Sequence, residues 1–126
     1  KLGKHVSFQA PLDSLELAKH VASHDIFVTA STIETQGLTI LESMAVGLPC
    51  VGANYLAIPD AIKDGRNGFL FAPYDFVECA NKIEKLAASA SLRKRLGTNA
   101  VRIAEKYSVE GIASKTIGLY GKLIGK

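Results

Sequence analysis

The sequence has few of the residues that build disulfide-rich or metal-binding proteins. It contains only two cysteines. Cys50 lies in an apolar run and Cys79 in a helical pattern, and neither has the spacing of metal ligands. His20 and His24 lack a third ligand, so we interpret them as solvated or capping residues. We therefore expect two reduced thiols, no metal site and a cytoplasmic location.

Long apolar runs and dense basic stretches are absent as well. The charge-free stretch 43–59 is interrupted by Gly47, Pro49 and Gly52, which makes it too short and too broken to span a bilayer. The net charge of +3 comes without a basic stripe that has interleaved aromatic residues, so we expect no nucleic-acid partner. A P-loop, a G-x-G-x-x-G motif and a nucleophile elbow are also missing.

Strand and helix patterns alternate early in the chain, and helices dominate later. Apolar runs predict strands at 6–8, 26–29, 49–53 and 68–71, and helical spacing predicts helices at about 14–24, 38–46, 58–63, 76–88, 91–107 and 108–123. The continuous run 26–29 is typical of a strand buried on both faces. These patterns predict an α/β fold with a Rossmann-like parallel sheet, helices on both faces and a helical C-terminal tail.

The segment between residues 34 and 42 carries the main chemical pattern. Glu34 follows a predicted strand, and seven residues separate it from Glu42. In parallel sheets, ligands bind at the carboxyl ends of strands. The amides of Gly37, Leu38 and Thr39 would begin a helix unpaired, which suits a phosphate, and the Thr39 hydroxyl could add a donor. A carboxylate at Glu42 would lie about 7 Å further along the helix, within reach of a ribose diol.

Two other loops have weaker patterns. The loop after the strand at 49–53 offers Asn54 and Tyr55 as ligand contacts, although an ordinary turn explains them equally well. The segment 64–68 is a turn in which we expect Gly65 and Gly68 to supply positive φ. Taken singly, Glu34 and Glu42 could be solvated residues. Their joint placement around Gly37 favours a sugar-nucleotide site.

An ordered series of motifs extends along most of the chain. Residues 34–42 match an E-x7-E motif, 42–51 an "EAMA-G-PVV" run, 64–70 a "DG-NG-L" motif, and 107–120 a closing "fSw…lY" helix. The chain thereby resembles the C-terminal, donor-binding domain of retaining GT-B glycosyltransferases of family four, the glycosyl transferases group one. One departure is 55–60, where the family often has Gly-Gly before Ile-Pro-Glu.

The resemblance implies a hexosyltransferase that moves a sugar from a nucleotide diphosphate to an acceptor with retention. Glu34 would be the catalytic contact to the donor sugar, the Gly37 and Leu38 amides would hold the diphosphate, and Glu42 would hold the ribose. Ser31 is a further candidate at the end of the family's "vFV-PS" strand. The donor, a UDP-sugar or GDP-sugar, would be a substrate, and no cofactor or obligatory metal is implied.

The resemblance also implies parts outside this sequence. We expect residues 1–126 to be a single partial domain, truncated at its N-terminus, because the family places two further strands with a phosphate-binding Arg and Lys before this point. The N-terminal acceptor domain would be a partner. The strand at 6–8 could then be displaced, or another chain could complete the sheet. We expect the isolated chain to be inactive and prone to self-association.

The acceptor is not specified by this sequence. The sequence of residues 34–39 is similar to that of family members that act on membrane diacylglycerol lipids, which suggests peripheral contact with the inner face of a membrane. Cell-wall and capsule transferases, however, share close variants of this segment. The alternatives are a non-catalytic nucleotide-sugar binding or regulatory module, and an epimerase or phosphorylase on the same GT-B architecture.

Overall fold

A computed structural model describes residues 2–125, which form three parallel strands and six α-helices. The strands lie in the order β1-β2-β3, and Phe27 of β1, Cys50 of β2 and Gly68 of β3 are in register. A 3₁₀ turn, Glu105–Tyr107, joins the last two helices. The bounds are α1 Ser14–Ala22, β1 Phe27–Thr29, α2 Leu38–Ala45, β2 Cys50–Ala53, α3 Ile58–Ala61, β3 Gly68–Phe71, α4 Phe76–Ala87, α5 Ala90–Ala104 and α6 Val109–Leu123.

Helices cover both faces of the sheet. A Cβ built on Gly52 of β2 would lie 2.7 Å from the side chains of Ile58 and Ile62, so this face packs against α3 and the residue after it. On the opposite face, the ammonium groups of Lys82 and Lys85 on α4 lie 5.5 and 4.8 Å from the ring centroid of Phe69. The predicted α/β fold is therefore confirmed.

The core lies between β2, β3 and the helices that pack on them. Its residues are fully or almost fully buried and apolar, as expected for central strands of a parallel sheet. They include Ile40, Met44, Val51, Ile58, Ile62, Phe71, Leu86, Leu96 and Ala100. By contrast, α6 contains no buried residue and exposes Ile112, Leu119, Tyr120 and Leu123. Within residues 2–125, no helix combines the length and hydropathy needed to cross a bilayer.

One strand prediction is wrong, and another is correct except for its first residue and its burial. Residues 6–8 have no regular secondary structure, and Phe8 is 98% exposed, because no strand in the described part of the chain pairs with this segment. The strand at 26–29 begins at Phe27 and is not buried on both faces. Val28 is 40% exposed because, within residues 2–125, β1 lies at the sheet edge and pairs with β2 alone.

The turn before β3 also differs from its prediction in one respect. Gly65 has a φ of +71°, as expected, but Gly68 does not have positive φ and belongs to β3. A Cβ on Gly68 would collide with the backbone oxygen of Cys50 on β2. Glycine is needed here because two backbones approach closely, and not because the chain turns.

Candidate active site

The loop after β1 leads directly into the first turn of α2. Gly37 is the N-cap residue of α2 and has left-handed backbone angles, φ 67° and ψ 31°, which glycine adopts without strain. The Leu38 and Thr39 amides begin the helix, and neither donates a hydrogen bond to any group in residues 2–125. No acidic side chain lies in this first turn. These amides are therefore available to an anion, with the partial positive charge of a helix N-terminus.

The Glu34 carboxylate accepts hydrogen bonds from backbone amides of its own loop. Its Oε1 atom accepts hydrogen bonds from the Gly37 amide at 2.8 Å and from the Gln36 amide at 3.3 Å. These bonds, led by the one from Gly37, lower the pKa of the Glu34 carboxyl below its ordinary value, so the side chain is ionised at neutral pH. The prediction of three unpaired amides is therefore wrong for Gly37 and holds for Leu38 and Thr39.

Glu42 lies one turn inside α2 on its exposed side. It comes four residues after Leu38, so the two side chains share a helix face about 6 Å apart along the axis. Glu42 borders a mainly apolar groove of about 240 Å³ between α1 and α2. The other lining residues are Ser14, Leu17, Ala18, Val21, Ala45 and Val46. A carboxylate at the edge of such a groove can accept hydrogen bonds from hydroxyls while an apolar ring occupies the groove.

The remaining predicted site residues lie at the start of α2 and in the loops that follow β1 and β2. Thr39 is exposed at the start of α2, and Asn54 and Tyr55 are exposed directly after β2. Ser31 is half-buried, and its Oγ atom accepts a hydrogen bond from the Ile33 amide at 3.3 Å. The loops after β1 and β2 contact each other, because the Ala57 amide donates to the Glu34 carbonyl oxygen at 3.5 Å.

A second cavity next to this loop was not apparent from the sequence. It has a volume of about 400 Å³ and lies between the loop that precedes α2, helix α3 and the end of the Glu105–Tyr107 turn. Its polar lining residues are Thr35, Gln36, Asp60, Lys63 and Tyr107. These residues are far apart along the chain, and no local pattern indicates that they meet.

Asn67 has a structural role that its sequence pattern does not indicate, because the segment 64–68 predicts only a turn. Its side chain is fully buried. Its Nδ2 atom donates to the Ala61 carbonyl oxygen at 3.0 Å, and its Oδ1 atom accepts from the Lys63 amide at 2.7 Å. Asn67 therefore fixes the C-terminal end of α3 against the start of β3.

The chemistry of the site follows from these groups. Amide donors at the start of α2 suit an anion, and the carboxylates of Glu34 and Glu42 suit hydroxyl groups on either side of it. Among residues 2–125, no group of three or more His, Cys, Asp or Glu side chains could hold a metal ion. Both cysteines are free; Cys50 is buried and Cys79 is half-buried. The arrangement fits a polyhydroxylated phosphate ester.

Known proteins resemble this chain in sequence and in fold. Sulfoquinovosyl transferase SQD2 of Arabidopsis thaliana is 38% identical over 116 residues, which cover 90% of this chain and 23% of that protein. Sucrose-phosphate synthase from Thermosynechococcus elongatus superposes with a TM-score of 0.87 at 27% identity, over 98% of this chain and 31% of that one. Anabaena HepE in complex with UDP-glucose gives a TM-score of 0.76 at 26% identity, over 93% of this chain and 31% of that one.

These comparisons confirm the family predicted from the motifs. This chain spans about a quarter of the length of SQD2 and about a third of sucrose-phosphate synthase. A family model described as glycosyl transferases group 1 matches residues 1–102, which include β1, β2, β3 and both glutamates of the E-x7-E motif. The chain belongs to the glycosyl transferases group 1 family, glycosyltransferase family four, and has the fold of GT-B glycosyltransferases.

Proposed function

We propose that this chain binds the nucleotide-diphosphate sugar donor of a retaining hexosyltransferase. The observation that carries the proposal is the pair of unpaired amides, Leu38 and Thr39, at the start of α2 between two glutamates. A leaving nucleoside diphosphate gains negative charge in the transition state, and oriented amides stabilise that charge. The solved complex of HepE with UDP-glucose supports a UDP-sugar as donor, and a GDP-sugar is the other candidate.

Each part of the site has one task in this proposal. The amides of Leu38 and Thr39, with the Thr39 hydroxyl, hold the diphosphate. Glu42 accepts hydrogen bonds from the ribose hydroxyls, and the groove between α1 and α2 takes the nucleoside beyond them; its apolar lining supports this assignment. Glu34 faces the donor sugar with the oxygen that its loop leaves free. Ser31, Asn54 and Tyr55 lie around the sugar end of the site. The donor is a substrate, and no cofactor is needed.

We propose that turnover requires an N-terminal acceptor domain and the Arg and Lys that grip the diphosphate. The small share of each relative that this chain covers supports the proposal. The exposed apolar side chains of α6 also support it, because large exposed apolar patches mark surfaces that bind a partner. The acceptor is a lipid or a saccharide, and with a lipid acceptor we propose a cytoplasmic enzyme bound peripherally to the inner face of a membrane.

Calorimetric titration of the full natural chain with UDP-sugars and GDP-sugars tests the donor. We expect one nucleotide to bind, and a radiolabelled donor to be consumed by the full chain but not by residues 1–126 alone. Binding without transfer to any acceptor would favour a nucleotide-sugar binding module. Turnover without a second substrate would favour an epimerase. Failure of the full chain to bind any nucleotide would refute the proposed site.

The role of Glu42 can be isolated with a matched variant and a matched ligand. We expect Glu42→Gln to weaken binding of the nucleoside diphosphate about tenfold, since a hydrogen bond to a charged group contributes about 1.5–3 kcal/mol. Glu84→Gln is the control, because Glu84 is an exposed glutamate on α4 whose side chain forms no hydrogen bond or ion pair with the part of the chain that the structure describes. The deoxyribose analogue should bind Glu42→Gln and the wild type with nearly equal affinity. Additive losses from the variant and the analogue would exclude a ribose contact.

A further inference from the structure

The two oxygens of the Glu34 carboxylate have different surroundings. Oε1 accepts both backbone hydrogen bonds, from Gln36 and from Gly37. Oε2 has no hydrogen-bond partner within residues 2–125. One oxygen is thus committed to the protein and the other is free. A carboxylate that served only as a contact to the sugar would not need to bind its own loop.

The committed oxygen acts on the turn that begins α2. The Gly37 amide points back to Glu34 while Gly37 itself is in the left-handed region, φ 67°. Rigid peptide planes are joined only through the φ and ψ angles of the residues between them, so a bond that holds the Gly37 amide restricts the backbone angles with which the chain enters α2. Through that restriction the glutamate helps to place the Leu38 and Thr39 amides, which it does not itself contact.

We infer that Glu34 is a positioning residue for the diphosphate: its Oε1 atom fixes the Gly37 turn so that the Leu38 and Thr39 amides face the ligand. This inference rests on the proposed function and adds a second task for Glu34, separate from any contact between Oε2 and the donor sugar. A negative carboxylate close to a diphosphate would otherwise repel it. The two hydrogen bonds from backbone amides to Oε1 partly neutralise that negative charge and so reduce the repulsion.

The inference predicts different effects on the binding of UDP and of uridine, whereas a role limited to contact with the sugar predicts no effect on either. UDP has the diphosphate but no sugar, and uridine has neither. If Glu34 orients the phosphate-binding amides, its removal weakens UDP binding and leaves uridine binding unchanged. If Glu34 only contacts the sugar, UDP binding stays at the wild-type level. If the substitution merely disrupts the fold, UDP and uridine binding fall together.

The test measures binding of UDP and uridine, with GDP and guanosine in parallel, to the full natural chain by calorimetry and NMR titration. We expect Glu34→Ala to lose about tenfold or more in nucleoside diphosphate affinity, because misdirected amides forfeit hydrogen bonds to a charged group. Nucleoside affinity should stay within about twofold. Glu34→Gln should retain most of the diphosphate affinity, since its amide oxygen can accept the same two hydrogen bonds. Thr35→Ala is the control, because Thr35 is an exposed neighbour whose side chain forms no hydrogen bond to the residues described in the structure.

Three results would overturn the inference. Diphosphate affinity that survives Glu34→Ala would show that the amides are oriented without Glu34. An equal loss for nucleoside and diphosphate would indicate a general structural defect. A loss in Glu34→Gln as large as in Glu34→Ala would show that the charge is needed rather than the hydrogen bonds. These results differ from failure of the proposed function itself, in which the wild-type protein binds no nucleotide.

Discussion

Replacing Asn67 should destabilise the fold more than any exposed substitution near the candidate site. Asn67→Ala removes the acceptor of the Lys63 amide, which is partly buried, and the donor to the Ala61 carbonyl oxygen, which is left buried and unpaired. Each hydrogen bond contributes about 1 kcal/mol net, and a buried partner left unpaired costs about 1–3 kcal/mol more. We therefore expect a loss of about 3–5 kcal/mol, a large share of the roughly 5–15 kcal/mol that stabilises a typical domain.

Asn67→Asp changes one atom and provides a sharper version of the same experiment. The Oδ1 acceptor for the Lys63 amide is kept, but an oxygen replaces the donor that faces the Ala61 carbonyl oxygen and the Met44 sulfur. Burial and this opposed oxygen favour the protonated form, so the folded-state pKa of the new carboxyl is raised. The folded state then binds the proton more tightly, and the variant loses stability as the pH rises from the unfolded-state pKa through the folded-state pKa.

Urea denaturation of residues 1–126, followed by far-UV circular dichroism, measures both effects. The control is Asn54→Ala, which truncates an exposed side chain and should change the free energy of unfolding by less than about 0.5 kcal/mol. We expect Asn67→Asp to approach wild-type stability near the pKa of a free aspartate and to fall well below it at neutral pH. A loss of under about 1 kcal/mol in Asn67→Ala, or a pH-independent loss in Asn67→Asp, would refute the role assigned to this amide.

Two further predictions concern packing. Gly97→Ala should destabilise the fold by several kcal/mol, because the new Cβ would collide with the backbone oxygen of Gly47 where α5 crosses the end of α2. Gly118→Ala on α6 places its Cβ more than 4 Å from the atoms of residues 2–125 that lie outside its own helix backbone, and should stabilise the fold by up to about 1 kcal/mol through helix propensity. If urea denaturation gave both variants the same sign of change in the free energy of unfolding, this packing argument would be contradicted. Burial raises the pKa of the Cys50 thiol to about 12, so we expect iodoacetamide to label Cys50 only after the protein unfolds, as measured by mass spectrometry. Labelling of Cys50 in the native protein as fast as that of a free thiol would contradict its burial.

The sequence predicts well those elements whose signals are local. The strand at β3 follows from a short apolar run after a turn, and it begins and ends as predicted. The predicted start of α1 at residue 14 agrees with the structure, in which Asp13 caps the helix and, with Glu16, forms a capping box. The start of α2 follows from the glycine at Gly37. In each case the residues that determine the boundary lie within a few positions of it.

The predictions that are wrong depend on contacts distant in sequence. Whether the run at 6–8 becomes a strand depends on a neighbour to pair with, and its composition cannot supply one. Whether Val28 is buried depends on which strands flank β1. The need for glycine at Gly68 comes from Cys50 on the adjacent strand, and the burial of Asn67 comes from α3. A turn signature explains neither contact, because it describes only the local backbone.

The spacing of the two glutamates illustrates how local and distant requirements combine. Glu34 precedes Gly37 by three residues, and its side chain spans that distance to reach the Gly37 amide. On α2 the core takes Ile40, Ser43 and Met44, which leaves Glu42 on the open side. A glutamate moved one position along would point into the core at Ser43, where an unpaired carboxylate is costly. The seven-residue spacing therefore meets the requirements of the loop hydrogen bonds and of the helix packing. A ligand can bind only at the carboxylate oxygens that these contacts leave exposed.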